Sequence, residues 1–170
     1  MFMPHRRSCH QSRRLAVDFR ASGLRADEER VIPDLHQVDG DGNVTEARMD
    51  LVVTRPGGVV RTLIDVRTVD GRAARAVAMG GTDDALRAAN AEKERRYDGQ
   101  AWPFAVESRG KIDDEALALL EFLAQEVALL SADGEGPCPG TLVRKWRRGV
   151  ELVMAFEVGK SLRAAADGRA

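Results

Sequence analysis

Two runs rich in β-branched residues, Arg48–Thr54 (RMDLVVT) and Val59–Val69 (VVRTLIDVRTV), flank Arg55-Pro56-Gly57-Gly58. Val, Ile and Thr pack well on a pleated surface and are stiff in a helix. Pro followed by Gly is turn chemistry. The spacing predicts an antiparallel hairpin, which argues against a purely parallel, doubly wound sheet. Each run also plants a carboxylate among aliphatic neighbours: Asp50 between Met49 and Leu51, and Asp65 between Ile64 and Val66. A charge in a buried strand is costly unless it is paired or bound to a cation. Side chains alternate along a strand, so Asp65 shares a face with Leu63 and Arg67.

If the turn centres near Gly57, opposed residue numbers sum to about 114–115. Asp50 then stands across from Ile64 or from Asp65. In the second register two like charges adjoin and repel, unless a divalent cation lies between them. Mg²⁺ or Mn²⁺ takes hard oxygen ligands, and Mg²⁺ commonly uses one or two carboxylates plus water and phosphate. That is the minimal arrangement for metal-assisted phosphodiester hydrolysis. The structural alternative leaves Asp50 at an exposed strand end and pairs Asp65 with Arg67, Arg61 or Arg48.

The remaining elements complete an α/β pattern. Gln11–Ser22 carries Leu15, Ala16, Phe19 and Ala21 at helical spacing and is stopped by Gly23. Val31–Val38 reads as a weak strand, pushed to a sheet edge by Pro33. Asp39-Gly40-Asp41-Gly42-Asn43 is a turn cluster. After Gly80-Gly81, Thr82 or Asp83 caps a helix that Gly99 ends. Trp102–Glu107 (WPFAVE) reads as a buried strand, with a turn at Ser108-Arg109-Gly110. Asp113 caps the next helix, with Ile112 and Leu117 as a staple and Leu120, Leu123, Val127 and Leu130 as its core stripe. A Gly/Pro loop leads to a last helix that opens at Thr141, passes Trp146 and fades near Gly159. The fold class is therefore one α/β domain, a mixed sheet with an antiparallel hairpin flanked by helices. Residues 10–162 form that domain, between a disordered 1–9 and a frayed 163–170.

Bulk properties exclude several function classes. The 170-residue chain has a net charge of −1, so no global field drives it toward nucleic acid or membrane. Basic residues are concentrated at His5–Arg14 and at Arg144, Lys145, Arg147 and Arg148, and the second group reads either as a solvated helix face or as a contact to phosphate backbone. The two cysteines, Cys9 and Cys138, have no metal-binding or disulfide-framework spacing, as expected of free thiols in an intracellular, reducing setting. No apolar run reaches the roughly 18 residues needed to span a bilayer, so no membrane partner is expected. No glycine-rich loop joins a strand to a helix at phosphate-binding spacing.

A set of short motifs, in order, resembles the PD-(D/E)XK (restriction-endonuclease-like) nuclease domain that follows the reverse transcriptase in some eukaryotic retroelements. Cys9-His10 precedes a helix ending in Ala21-Ser22-Gly23-Leu24. Arg48-Met49-Asp50-Leu51 stands at the family's Arg-x-Asp strand, and Leu63-Ile64-Asp65-Val66 at its Leu-Asp-Val strand. Ala91-Glu92-Lys93 with Arg96-Tyr97 is similar to its Lys/Tyr helix. Phe104–Gly110 is similar to its Phe-to-Gly strand and turn, and Lys145-Trp146-Arg147 to its C-terminal Trp-Arg pair.

The resemblance implies an αβββαβ core plus two C-terminal helices, and a Mg- or Mn-dependent DNA endonuclease. It implies Asp50 and Asp65 as metal ligands with Glu29 as a third. It adds Arg67, Lys93 and Glu107 to Asp50 and Asp65 as catalytic-site residues. The motif lysine would be residue 67, which is arginine here, and the motif proline is Met49. Arginine clamps phosphate but stays protonated, so the lysine role passes to Lys93. The alternative is a catalytically inactive relic of that domain, binding nucleic acid or serving a purely structural role.

Overall fold

The computed structural model describes residues 5–38, 40–58, 60–70, 78, 80–130 and 136–166, with side chains from residue 10 on and without those of 161, 162, 165 and 166. Its chain order is α1 (His5–Arg20), β1 (Arg25–Val31), a 3-10 turn (Pro33–Leu35), β2 (Gln37–Val38) and β3 (Val44–Thr45). These are followed by β4 (Arg48–Thr54), β5 (Arg61–Val69), α2 (Thr82–Arg96), β6 (Trp102–Glu107), α3 (Asp114–Leu130) and α4 (Pro139–Ala166). The four-stranded sheet has the order β1-β4-β5-β6, and β2 pairs with β3 separately. β1 and β5 both run antiparallel to β4, while β6 runs parallel to β5. A parallel neighbour needs a crossover, and α2 lies within the one between β5 and β6. The result is a single α/β domain with a mixed sheet and four helices among the described residues.

The β4–β5 turn forms for the expected reason. Gly58 N–H donates to the Arg55 carbonyl at 3.0 Å. Pro56 presets the first central position, and Gly57 takes φ 71° at the second, where L side chains are strained. The ladder pairs Leu51 with Ile64, Val52 with Leu63, Val53 with Thr62 and Thr54 with Arg61. Of the two registers left open, this is the one whose next step sets Asp50 opposite Asp65.

Alternation divides the sheet. Leu51, Val53, Ile64, Val66, Phe104 and Val106 join α1, α3 and α4 in the main core. α1 and α4 cross closely there: a Cβ at Gly149 would lie 2.5 Å from Asp18 Oδ2. Trp146 is fully buried, meets Phe19 edge to face at 4.9 Å, and donates its indole N–H to Ser22 Oγ at 3.3 Å. On the opposite side Val52 packs with Leu35, Tyr97 and Ala101, and Ala105 packs with Leu86 and Ala89 of α2. Past Ala105, the outer edge of β6 is closed by residues 111–113, with Glu107 N–H donating to the Lys111 carbonyl and Asp113 N–H to that of Ala105. Covering an edge strand in this way blocks pairing with other chains.

Several boundaries differ from expectation. The strand that precedes the hairpin and joins its sheet is Arg25–Val31 (RADEERV), not Val31–Val38, where Pro33 opens a 3-10 turn instead. A charged segment of low β propensity becomes a strand because β4 offers it a ladder on one side and solvent accepts its polar face. α1 begins at His5, so helix takes in residues 5–9, expected to be disordered. α4 runs through Gly159 to Ala166, into the tail expected to fray. α2 stops at Arg96, where Asp98 (φ 50°) and Gly99 (φ 68°) both turn left-handed and Gly99 N–H reaches back to the Glu94 carbonyl. Leu130, placed in the core stripe of α3, is exposed.

Candidate functional site

The polar side of the sheet gathers four chemistry-bearing side chains. Asp50 leaves β4 and Asp65 leaves β5 on the face that α2 covers. The buried side of α2 runs Leu86, Asn90, Lys93, Tyr97, a helical spacing of four, three and four that carries it over both carboxylates. Lys93 Nζ donates to Asp65 Oδ2 at 2.6 Å. The Asp65 residue is 4% exposed and the Lys93 side chain 17%. Tyr97, one turn beyond Lys93, is buried beside the same Asp65 carboxylate, and its ring lies 5.9 Å from the Lys93 ammonium. Asp50 Oδ2 accepts the backbone N–H of Val66 at 2.7 Å.

The electrostatics follow from this packing. Burial and the adjoining Asp65 carboxylate push Asp50 up from 3.8 to about 7, against the opposing pull of the Val66 N–H and Lys93. The ladder register makes the two carboxyls cross-strand neighbours on one face, close enough for each to feel the other's charge. Two like charges in one site share a proton for this reason. Burial and Asp65 likewise push the Tyr97 phenol up, so it stays a donor at physiological pH.

The structure thus brings together Asp50, Asp65 and Lys93, and leaves other expected site residues at a distance. Arg67, two positions beyond Asp65 on the same face, is ion-paired with Glu92 at 2.7 Å at the rim. The structural alternative of an Asp65–Arg67 pair is therefore replaced by an Asp65–Lys93 pair. Glu107 pairs with Val69, whereas Asp65 pairs with Pro103. Four residues of strand separate them, roughly 13 Å. The Glu107 carboxylate instead accepts from Ser108 Oγ at 3.2 Å and Arg109 N–H at 3.0 Å, capping the turn that follows. Glu29 falls across from Asp50, between the pairs Glu28–Leu51 and Arg30–Met49, but its backbone is left-handed (φ 50°) and the residue is exposed. Among the described residues no three His, Cys, Asp or Glu side chains are grouped to hold a metal, so Glu29 does not complete a three-ligand set.

Arg144, Lys145, Arg147 and Arg148 are exposed on α4, around the buried Trp146. α4 packs in the main core, so these cations lie on the other side of the sheet from the carboxylates. Arg147 is engaged by Glu151 at 3.0 Å. Cys138 is exposed just before α4, and the Cys9 side chain lies outside the described residues. No helix is long and apolar enough to cross a membrane among the described residues.

No family model, curated protein or solved structure matches the chain. The sequence motif signals for Asp50, Asp65 and Lys93 lead to one cluster all the same. Tyr97 is buried in the core, and its place beside Asp65 is not among the sequence expectations. The signal for that placement is its spacing of four from Lys93, which puts both on one helix face.

Proposed function

We propose that this chain is a metal-dependent DNA endonuclease-like domain of the PD-(D/E)XK kind, of retroelement origin, hydrolysing phosphodiester bonds. The observation that carries the reading is the meeting of the Asp50 and Asp65 carboxyls with Lys93 on the face covered by α2. Two aspartates from adjacent antiparallel strands and a lysine from the following helix form the constellation the motifs imply. With the separate β2–β3 pair set aside, the element order supports the same reading: a helix, three antiparallel strands, a helix, and a fourth strand parallel to the third.

The donor set fits Mg²⁺ or Mn²⁺. Both accept hard carboxylate oxygens, and Mg²⁺ keeps several waters and takes substrate phosphate when a site offers only one or two carboxylates. When bound, such an ion would activate water and stabilise developing charge on phosphate. The chain's own part is to hold Asp65 through Lys93, and Asp50 through the Val66 N–H. Lys93 is also the cation in direct contact with the carboxylate pair.

The test is nicking of supercoiled plasmid by the purified chain with Mg²⁺ or Mn²⁺. Wild type should nick, and Asp65→Asn should lose at least about a hundredfold in rate, the scale of losing one electrostatic contact to a transition state. Absence of nicking by wild type, or undiminished nicking by the variant, refutes the assignment. A second reading, an inactive relic, is favoured by Arg67 standing at the motif lysine and being occupied by Glu92. It predicts salt-dependent DNA binding without cleavage.

A further inference from the structure

The carboxylate pair already contains a cation of its own. Lys93 reaches Asp65 from a helix that packs on the sheet, with its stem buried and its ammonium 2.6 Å from Oδ2. An ammonium has donors and no lone pair. It neutralises a carboxylate but cannot ligate a metal. A divalent ion seated between Asp50 and Asp65 would therefore stand beside a like charge, or Lys93 would have to leave.

We infer that Lys93 is an internal counter-ion that competes with a divalent cation for Asp65, holding the site closed to metal until an anionic phosphate ligand takes up the lysine. This inference rests on the metal-site reading above and adds regulation to it. Several features of the geometry favour competition over cooperation. Asp50 has one oxygen committed to the Val66 N–H and Asp65 has one committed to Lys93. Tyr97 is packed beside Asp65 as well and narrows the room for a metal there. Among the described residues no further acidic or imidazole group joins the pair to offset the lysine charge. Arg67, the other cation on this face, is occupied by Glu92 and exposed at the rim. A phosphodiester offers the ammonium a new anionic partner, which frees Asp65 for the metal when substrate arrives.

The experiment is calorimetric titration of Mn²⁺ into the full chain without nucleic acid, comparing wild type with Lys93→Gln. Glutamine keeps a donor for Asp65 and removes the charge. Removal of a unit charge about 5 Å from a divalent ion should tighten Mn²⁺ binding about tenfold or more. Mn²⁺ should also raise the melting temperature of the variant more than that of wild type. Equal or weaker binding by Lys93→Gln overturns the inference. Asp65→Asn separates the two readings. If wild type and Lys93→Gln bind Mn²⁺ equally and Asp65→Asn does not bind, competition fails and the metal site stands. If no form binds Mn²⁺ in a way that depends on Asp65, both fail.

A second measurement needs no variant. At Mn²⁺ concentrations that saturate wild type in the titration, acetylation of Lys93 should be faster than without metal, read by peptide mass spectrometry, because the displaced ammonium becomes accessible. Labelling that is unchanged or slowed at saturation overturns the inference.

Discussion

The two sides of the β sheet solve opposite problems. Toward α1, α3 and α4 the sheet presents Leu51, Val53, Ile64, Val66, Phe104 and Val106, an apolar layer that ends on Trp146 and Phe19. Toward α2 it presents Val52 and Leu63 interrupted by Asp50 and Asp65, with Lys93 and Tyr97 descending onto them. The first side gains free energy from every methylene it removes from water. The second spends some of that gain on desolvating charge, which a compact ion pair recovers only in part. Burial on the first side answers to stability, and the polar cluster on the second stands apart from it. A polar cluster on one side of a thin sheet is tolerable when the other side holds the fold without it.

The largest effect is expected from hollowing out the apolar side. Trp146→Ala removes a fully buried indole and its hydrogen bond to Ser22, and should cost about 3–5 kcal/mol. A urea melt gives the value directly. A loss below about 1 kcal/mol, the range of ordinary substitutions, would show that α4 is dispensable and that the division between the two sides is wrong.

The next effect lies on the polar side and has the opposite sign. Asp50 is held at about 7 in the fold against an ordinary value of 3.8. The folded state binds its proton more tightly than the unfolded chain does. Its contribution is therefore fully present below about pH 4 and lost as pH rises through about 7. Asp50→Asn keeps an acceptor for the Val66 N–H and takes no charge. Relative to wild type it should gain stability across that window, ending about 1–2 kcal/mol more stable at about pH 8. Denaturant midpoints for both proteins at several pH values check this. A difference that does not change between about pH 5 and 8 would mean that Asp50 ionises freely.

The smallest effect belongs to the rim. Arg67 and Glu92 form an ion pair between partly exposed side chains, and such pairs contribute little. Arg67→Ala should change stability by about 0.5 kcal/mol or less, read in the same denaturant titration. A loss of several times that size would make Arg67 part of the buried cluster and blur the line between cluster and rim.

The hairpin shows how far the sequence could be read. β4 and the Pro-Gly turn follow from local composition, and alternation places Asp65 with Leu63 and Arg67. Turn length narrows the register to two choices. One residue of slip moves every side chain to the other face, and turn composition alone does not resolve such a slip. The strand Trp102–Glu107 and the Asp113 cap were legible because both are local signals. The strand Arg25–Val31 was not legible. It carries few β-forming residues, and only its pairing with β4 makes it a strand.

Local sequence determined the elements whose signals lie within a few residues: the hairpin turn, the helix faces, and the two acids set among aliphatic neighbours. Tertiary structure alone decided the neighbours of those acids. It chose the register that makes Asp50 and Asp65 adjacent, brought Lys93 and Tyr97 onto Asp65 from a helix some thirty residues away in sequence, and sent Arg67 to Glu92 and Glu107 to its own turn. The reason is the range of the forces. Backbone preference and amphipathic period act along the chain, whereas the pairing of buried charges depends on which surfaces come to rest against each other.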